Sequence, residues 1–174
     1  MARIVQTAAL LGAALLVAPL IVGKSHARTA TPAASEPDVI AAYTEAIGAH
    51  DADAVVALYT KDAVVEQAVG AGNTFEGPDA IRAWASDNLT AIPDLTMTTE
   101  RVVVEGNRIA WQWVYRGAYT GAYPGLPAGQ GQPIELRGAS FIELRDGRIA
   151  RETIYFDNAS FLSQVSGPAA TPAP

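Results

Sequence analysis

Residues 143–157, ELRDGRIARETIYFD, place several chemistry-bearing side chains around one tight turn. If Arg145-Asp146-Gly147 is a three-residue hairpin loop with Gly147 at positive φ, Leu144 pairs with Arg148. One face then holds Ser140, Ile142 and Leu144 beside Ala150, Glu152, Ile154 and Phe156. The other holds Arg137, Phe141 and Glu143 beside Ile149, Arg151, Thr153, Tyr155 and Asp157. A one-residue slip exchanges the faces, and the more uniformly apolar set marks the core. Glu152 is therefore the one ionisable group expected to look inward, with Ser140 opposite.

A carboxyl in apolar surroundings has its charged form disfavoured, which is one way to make a general base. The plainer reading of Glu152 is a strand-end glutamate that reaches solvent or pairs with Arg116. Glu66, in the segment AVVEQAV, is a second candidate for acid–base work, against a solvated edge residue. Asp157 faces outward just before NASFLSQVS, where a carboxylate accepts backbone N–H bonds as a helix N-cap.

Aromatic residues supply the rest. Trp111, Trp113 and Tyr115 alternate along one strand and so share a face. That face either stacks on a planar ligand or forms an apolar patch on which two sheets pair. Tyr43, Tyr59 and Trp84 fall on helical segments and are expected to face inward, as core or as pocket wall. The expected ligand pocket thus comprises Tyr43, Tyr59, Trp84, Trp111, Trp113, Ser140, Ile154 and Phe156.

The elements that position these residues follow from periodicity. Ser35, with Pro37 and Asp38 after it, opens a helix whose apolar stripe is Val39, Ile40, Tyr43 and Ile47. A second, short helix begins near Asp51 and carries Val55, Val56, Leu58 and Tyr59. AVVEQAV reads as a strand, and EGPDAIRAWASDNL as a third helix packing through Ile81 and Trp84. After Pro93 four strands follow: Leu95 to Glu105, Arg108 to Thr120, Ile134 to Leu144 and Arg148 to Phe156. Helices first and a meander of long antiparallel strands afterwards give an α+β fold. The N-terminal helices cover a curved antiparallel sheet and leave a cone-shaped pocket.

The ends are different in kind. Arg3, an apolar run from Ile4 to Val22 and a small-x-small site at Ser25-His26-Ala27 read as a secretory signal peptide over residues 1–27. The apolar run is also long enough to serve as an uncleaved membrane anchor. Residues 28–34 form a small-residue linker, 35–166 the folded domain and 167–174 a tail poor in apolar content. Removal of Arg3 and Lys24 with the signal takes the net charge from −6 to −8. No basic cluster offsets this acidity, which excludes nucleic acid as a partner. Without cysteine there is no disulfide framework, and with only His26 and His50 there is no histidine-rich metal site.

The order of elements, the loop GAYPGLPAGQGQP, the ELRDGRI hairpin and the strand ending in Asp before FLSQVSG resemble the SnoaL-like polyketide cyclases. These belong to the nuclear transport factor 2-like superfamily, with ketosteroid isomerases and limonene epoxide hydrolases. The resemblance covers about Pro37 to Gly167 and implies cofactor-free, metal-free ring closure by an intramolecular aldol reaction. It places the proton-moving carboxylate three residues before the strand-ending Asp, which here is Ile154. It also implies a homodimer formed through the sheet. Two functions follow as expectations. One is an exported domain binding a small hydrophobic or aromatic molecule, with acid–base chemistry through Glu152 or Glu66. The other is a non-catalytic binding or interaction module. Secretion or a periplasmic location goes with the signal peptide, and membrane attachment only with an uncleaved residues 4–22.

Overall fold

The computed structural model describes residues 38–68 and 73–168. The expected signal peptide, the linker and the Ser35 cap lie outside the described residues, as does the tail beyond Pro168. Helix α1 (Asp38–Gly48) buries the expected stripe of Val39, Ile40, Tyr43 and Ile47, joined by Ala46. His50 then turns the chain with a φ of 55°, and Asp51 caps α2 (Ala52–Ala57) through a 2.9 Å bond from the Ala54 N–H. Helix α2 stops earlier than its apolar run suggests. Leu58 is its C-cap, and Tyr59 is the first residue of strand β1 (Tyr59–Gln67) rather than the last of the helix.

Strand β2 (Asn73–Glu76) is an element the sequence pattern did not reveal. It doubles back on β1 and leads, through Gly77 at a φ of 75°, into α3 (Gly77–Ala91). Pro78 occupies the first turn of that helix, where its missing N–H costs nothing. Strands β3 (Thr96–Glu105), β4 (Arg108–Tyr119), β5 (Gln132–Arg145) and β6 (Arg148–Phe156) form the expected meander, and α4 (Asn158–Val165) closes the domain. Asp157 caps α4 by accepting from the Ser160 N–H at 3.0 Å, as its sequence context predicts.

The sheet order is β2-β1-β6-β5-β4-β3. All neighbours are antiparallel except β1 and β6, which run parallel and stitch the N-terminal half to the last strand. Apolar residues from α1, α2 and α3 fill the concave side against Ile109, Trp111, Ile142 and Ile149.

The β5–β6 turn differs from its expected form. Arg145 pairs with Arg148, so the loop has two residues, Asp146 and Gly147, both at positive φ. This twist matches that of the flanking strands, which is why two-residue hairpins adopt it. A bulge at Ala150 then absorbs one residue, so that Leu144 pairs with Ile149 but Glu143 pairs with Arg151. Ile149 accordingly turns inward and is fully buried, against the expectation that it faces out. Beyond the bulge the pairs are Ile142 with Glu152 and Ser140 with Ile154, so the inward face from Glu152 onward is the expected one. Two other register shifts bend the sheet, between Tyr59 and Val64 in β1 and between Thr99 and Arg101 in β3. Among the described residues no helix is long and apolar enough to cross a membrane.

Candidate active site

A cavity of about 470 Å³ opens between the sheet and helices α3 and α4. Its sheet wall includes Trp113, Tyr115, Ser140, Glu152, Ile154 and Phe156. Across from these stand Trp84, Asp87 and Asn88 of α3, with Tyr123 and Leu126 from the loop after β4. The volume lies within the range usual for small-molecule sites.

Glu152 is the polar centre of the sheet wall. It is 1% exposed, although its neighbours on the strands are Ile142 and Val65. The Tyr59 hydroxyl donates a hydrogen bond to Oε2. That contact exists because Tyr59 starts β1, where it pairs with Ile149 of β6. Ser140 sits diagonally across on β5, its hydroxyl accepting from Trp113 Nε1 at 3.1 Å. No hydrogen bond reaches the second carboxylate oxygen, Oε1.

Burial pushes the Glu152 carboxyl above its ordinary range, and the Tyr59 and Ser140 hydroxyls only partly offset this. Burial also raises Tyr59, as does the nearby Glu152 charge, so this phenol remains a donor. Tyr43 stands beside Tyr59 with its ring edge-on at 6.5 Å, and burial raises its pKa likewise. The result is a buried acid whose neutral form is favoured by desolvation, with one oxygen anchored by Tyr59 and no hydrogen bond from the protein to the other.

Other expected site residues fall in four places. Tyr43, Trp84, Trp113, Ser140, Ile154 and Phe156 line the cavity with Glu152. Tyr59 reaches the cavity only through Glu152. Trp111 lies behind the wall, packed edge-on against Tyr43 at 5.3 Å and donating through Nε1 to Thr99. Glu66 is exposed and is paired to Thr74 and Thr153 on the outer face, away from the cavity. Arg116, the proposed partner of Glu152, instead pairs with Glu135 at 3.1 Å on the exposed face. Nor do Trp111 and Trp113 form an outer patch, since both are buried on the concave side.

The sequence pattern missed Phe75, Asp87, Asn88 and Tyr123. Phe75 stacks on Trp84 at 5.7 Å from the unforeseen β2. Asp87 and Asn88 follow Trp84 by three and four positions, the spacing that puts them on its helix face. Asn88 Nδ2 donates to the Trp84 carbonyl at 2.7 Å, and its Oδ1 accepts from Tyr115 at 3.4 Å. Among the described residues no group of three His, Cys, Asp or Glu side chains could hold a metal ion.

A helix-covered cup with a carboxylate on its last strand can be compared with known proteins. The sequence profile of the SnoaL-like domain matches residues 40–152. The chain belongs to the SnoaL-like family. Solved structures agree with this membership in fold. A presumed SnoaL-like polyketide cyclase from Jannaschia sp. shares 18% identity, with a TM-score of 0.67 over 79% of this chain and 99% of that one. A presumed polyketide cyclase from Xanthomonas campestris is 28% identical, with a TM-score of 0.60 over 74% and 94% of the two chains. IdmH, a presumed polyketide cyclase from Streptomyces antibioticus, is 26% identical, with a TM-score of 0.62 over 76% and 100%. No curated protein sequence matches the chain. The SnoaL-like domain seen here carries Ile154 where the resemblance places the family's acid. The residue is 5% exposed and paired with Ser140, and cannot accept a proton.

Proposed function

We propose that this SnoaL-like domain binds a small, largely apolar ring-bearing molecule in its cavity and moves a proton on it with Glu152. The observation that carries this reading is the buried carboxyl itself, anchored through one oxygen by Tyr59 and unpartnered at the other. A buried acid with a raised pKa and a free oxygen in a cavity wall is suited to general acid–base work.

In the proposed step, ionised Glu152 takes a proton from a carbon next to a ligand carbonyl, and the C–H electron pair becomes the enolate. The enolate carbon then attacks a second carbonyl of the same molecule, closing a ring, and Glu152 returns the proton to the new alkoxide. Return of the proton to a different carbon would instead isomerise the ligand. Either way atoms and charge balance without a further reactant.

A second reading, a non-catalytic binding module, is favoured by Ile154 at the family's acid position. Glu152→Gln separates the two, because the amide keeps the shape and can still accept from Tyr59. Turnover of cyclisable polyketide or enone substrates should fall by about 10²–10⁴-fold, with ligand binding retained. Undiminished turnover in the variant would sink the role of Glu152. A wild type that binds such ligands and turns none over would establish the binding module.

A further inference from the structure

Among the described residues, two buried side-chain polar atoms lack a hydrogen-bond partner: Glu152 Oε1 and Trp84 Nε1. Both belong to side chains that line the same cavity, one on its sheet wall and one on its helix wall. Trp84 is 8% exposed and Glu152 is 1% exposed, so solvent does not serve them freely. Buried polar atoms are nearly always satisfied, and an unmet pair in one cavity points to a partner supplied from outside the chain. The other two tryptophans are satisfied, Trp111 by Thr99 and Trp113 by Ser140, both at 3.1 Å. An orphaned indole is thus peculiar to the one that faces the site from α3.

The charges of the lining narrow the ligand further. Its described residues include the acids Asp87 and Glu152, but no Lys, Arg or His. An anion entering this space would lose its hydration and meet like charge with no compensating cation. Trp84, Trp113, Tyr115 and Phe156 offer flat apolar surface instead.

We infer that Trp84 is the ligand's second polar anchor: the cavity takes an uncharged, planar molecule whose carbonyl or ether oxygen accepts from Trp84 Nε1 while a hydroxyl meets Glu152, and it rejects acids. This rests on the reading of the cavity as the ligand site, but not on Glu152 performing catalysis.

Calorimetric titration of the full chain with three probes tests the inference: a hydroxynaphthyl methyl ketone, the analogue with methylene in place of the carbonyl, and hydroxynaphthoate. The wild type should prefer the ketone to the methylene analogue by about tenfold, the worth of one buried hydrogen bond. Hydroxynaphthoate should show no saturable binding. Trp84→Phe keeps a ring against Phe75 but removes the N–H, so the ketone preference should vanish while the methylene analogue binds as before.

Proton NMR of the wild type gives a second readout that needs no variant. Of the three indole N–H signals, one alone should move further downfield with the ketone than with its analogue. A ketone preference that survives in Trp84→Phe, tight binding of hydroxynaphthoate, or an unmoved indole signal would overturn the anchor. Those results would leave Glu152 catalysis to its own turnover test. Failure of every probe to bind the wild type would overturn both the anchor and the cavity as ligand site.

Discussion

Replacing Tyr59 with Phe isolates what holds the Glu152 carboxyl in its working state. The ring is buried at 3% exposure and would stay in place, so the change reduces to one hydroxyl. That hydroxyl supplies the hydrogen bond that Glu152 Oε2 accepts, and Oε1 accepts none. A hydrogen bond to a charged group is worth about 1.5–3 kcal/mol, and one to a neutral group about 0.5–1.5 kcal/mol. Tyr59 therefore favours the ionised over the neutral carboxyl by ~1–1.5 kcal/mol, about one pH unit. Burial already raises the Glu152 pKa and Tyr59 pulls it down, so the substitution must raise it further. If ionised Glu152 is the base, kcat/KM rises with pH as this group loses its proton. In Tyr59→Phe that rise should move about one pH unit to the alkaline side. The pH–rate profile of kcat/KM for wild type and variant reads this shift directly. Thermal unfolding should show a loss of about 1–3 kcal/mol from the orphaned carboxyl. An acid limb that stays put, or moves to lower pH, would refute the reasoning even if the variant were slower.

Two further outcomes follow from the fold. A Cβ at Gly138 would overlap the six-membered ring of Trp113 and lie 2.7 Å from the Tyr155 carbonyl oxygen, so Gly138→Ala must displace the indole that serves Ser140. Chemical denaturation should show a loss of about 1–3 kcal/mol, and an unchanged midpoint would mean that the sheet yields freely there. On the outer face, Phe141 and Tyr155 are 55% and 47% exposed and touch edge-to-face, and we propose that a second copy of the chain covers them. Light scattering at micromolar concentration should then give a dimer that Phe141→Glu dissociates, whereas a monomeric wild type would remove the proposal.

How much the sequence disclosed depends on the range of the interactions involved. The apolar stripe of α1, the start of α2 near Asp51, the cap at Asp157 and the four long strands arise from neighbours a few residues apart, and their patterns were legible. The inward direction of Glu152 was also legible, because alternation along β6 beyond Ala150 is local. Its partner was not. Tyr59 follows Val55 and Val56 at helical spacing, and only the parallel pairing of β1 with β6, ninety positions on, makes it a strand residue. Strand β2 has four residues, too few for a period to emerge, yet it brings Phe75 to Trp84. The turn before β6 shows the other kind of gap. Counting inward residues back from Glu152 implied a three-residue loop, whereas the chain uses a two-residue loop and spends the surplus residue in a bulge. The first choice is correct for the face from Glu152 onward and wrong for Ile149, which lies on the turn side of that bulge.

The bulge at Ala150, with the register shifts in β1 and β3, also bears on how such a cup can change. An extra residue in one strand bends and twists the sheet without altering which side chains look inward on either side of it. Depth is therefore set by how many residues each strand spends, and lining by which residues they are. The two can drift apart under insertion and substitution as separate variables, so a shared lining does not guarantee a shared ligand size. The same pocket chemistry can sit at the bottom of a shallow dish or a deep funnel.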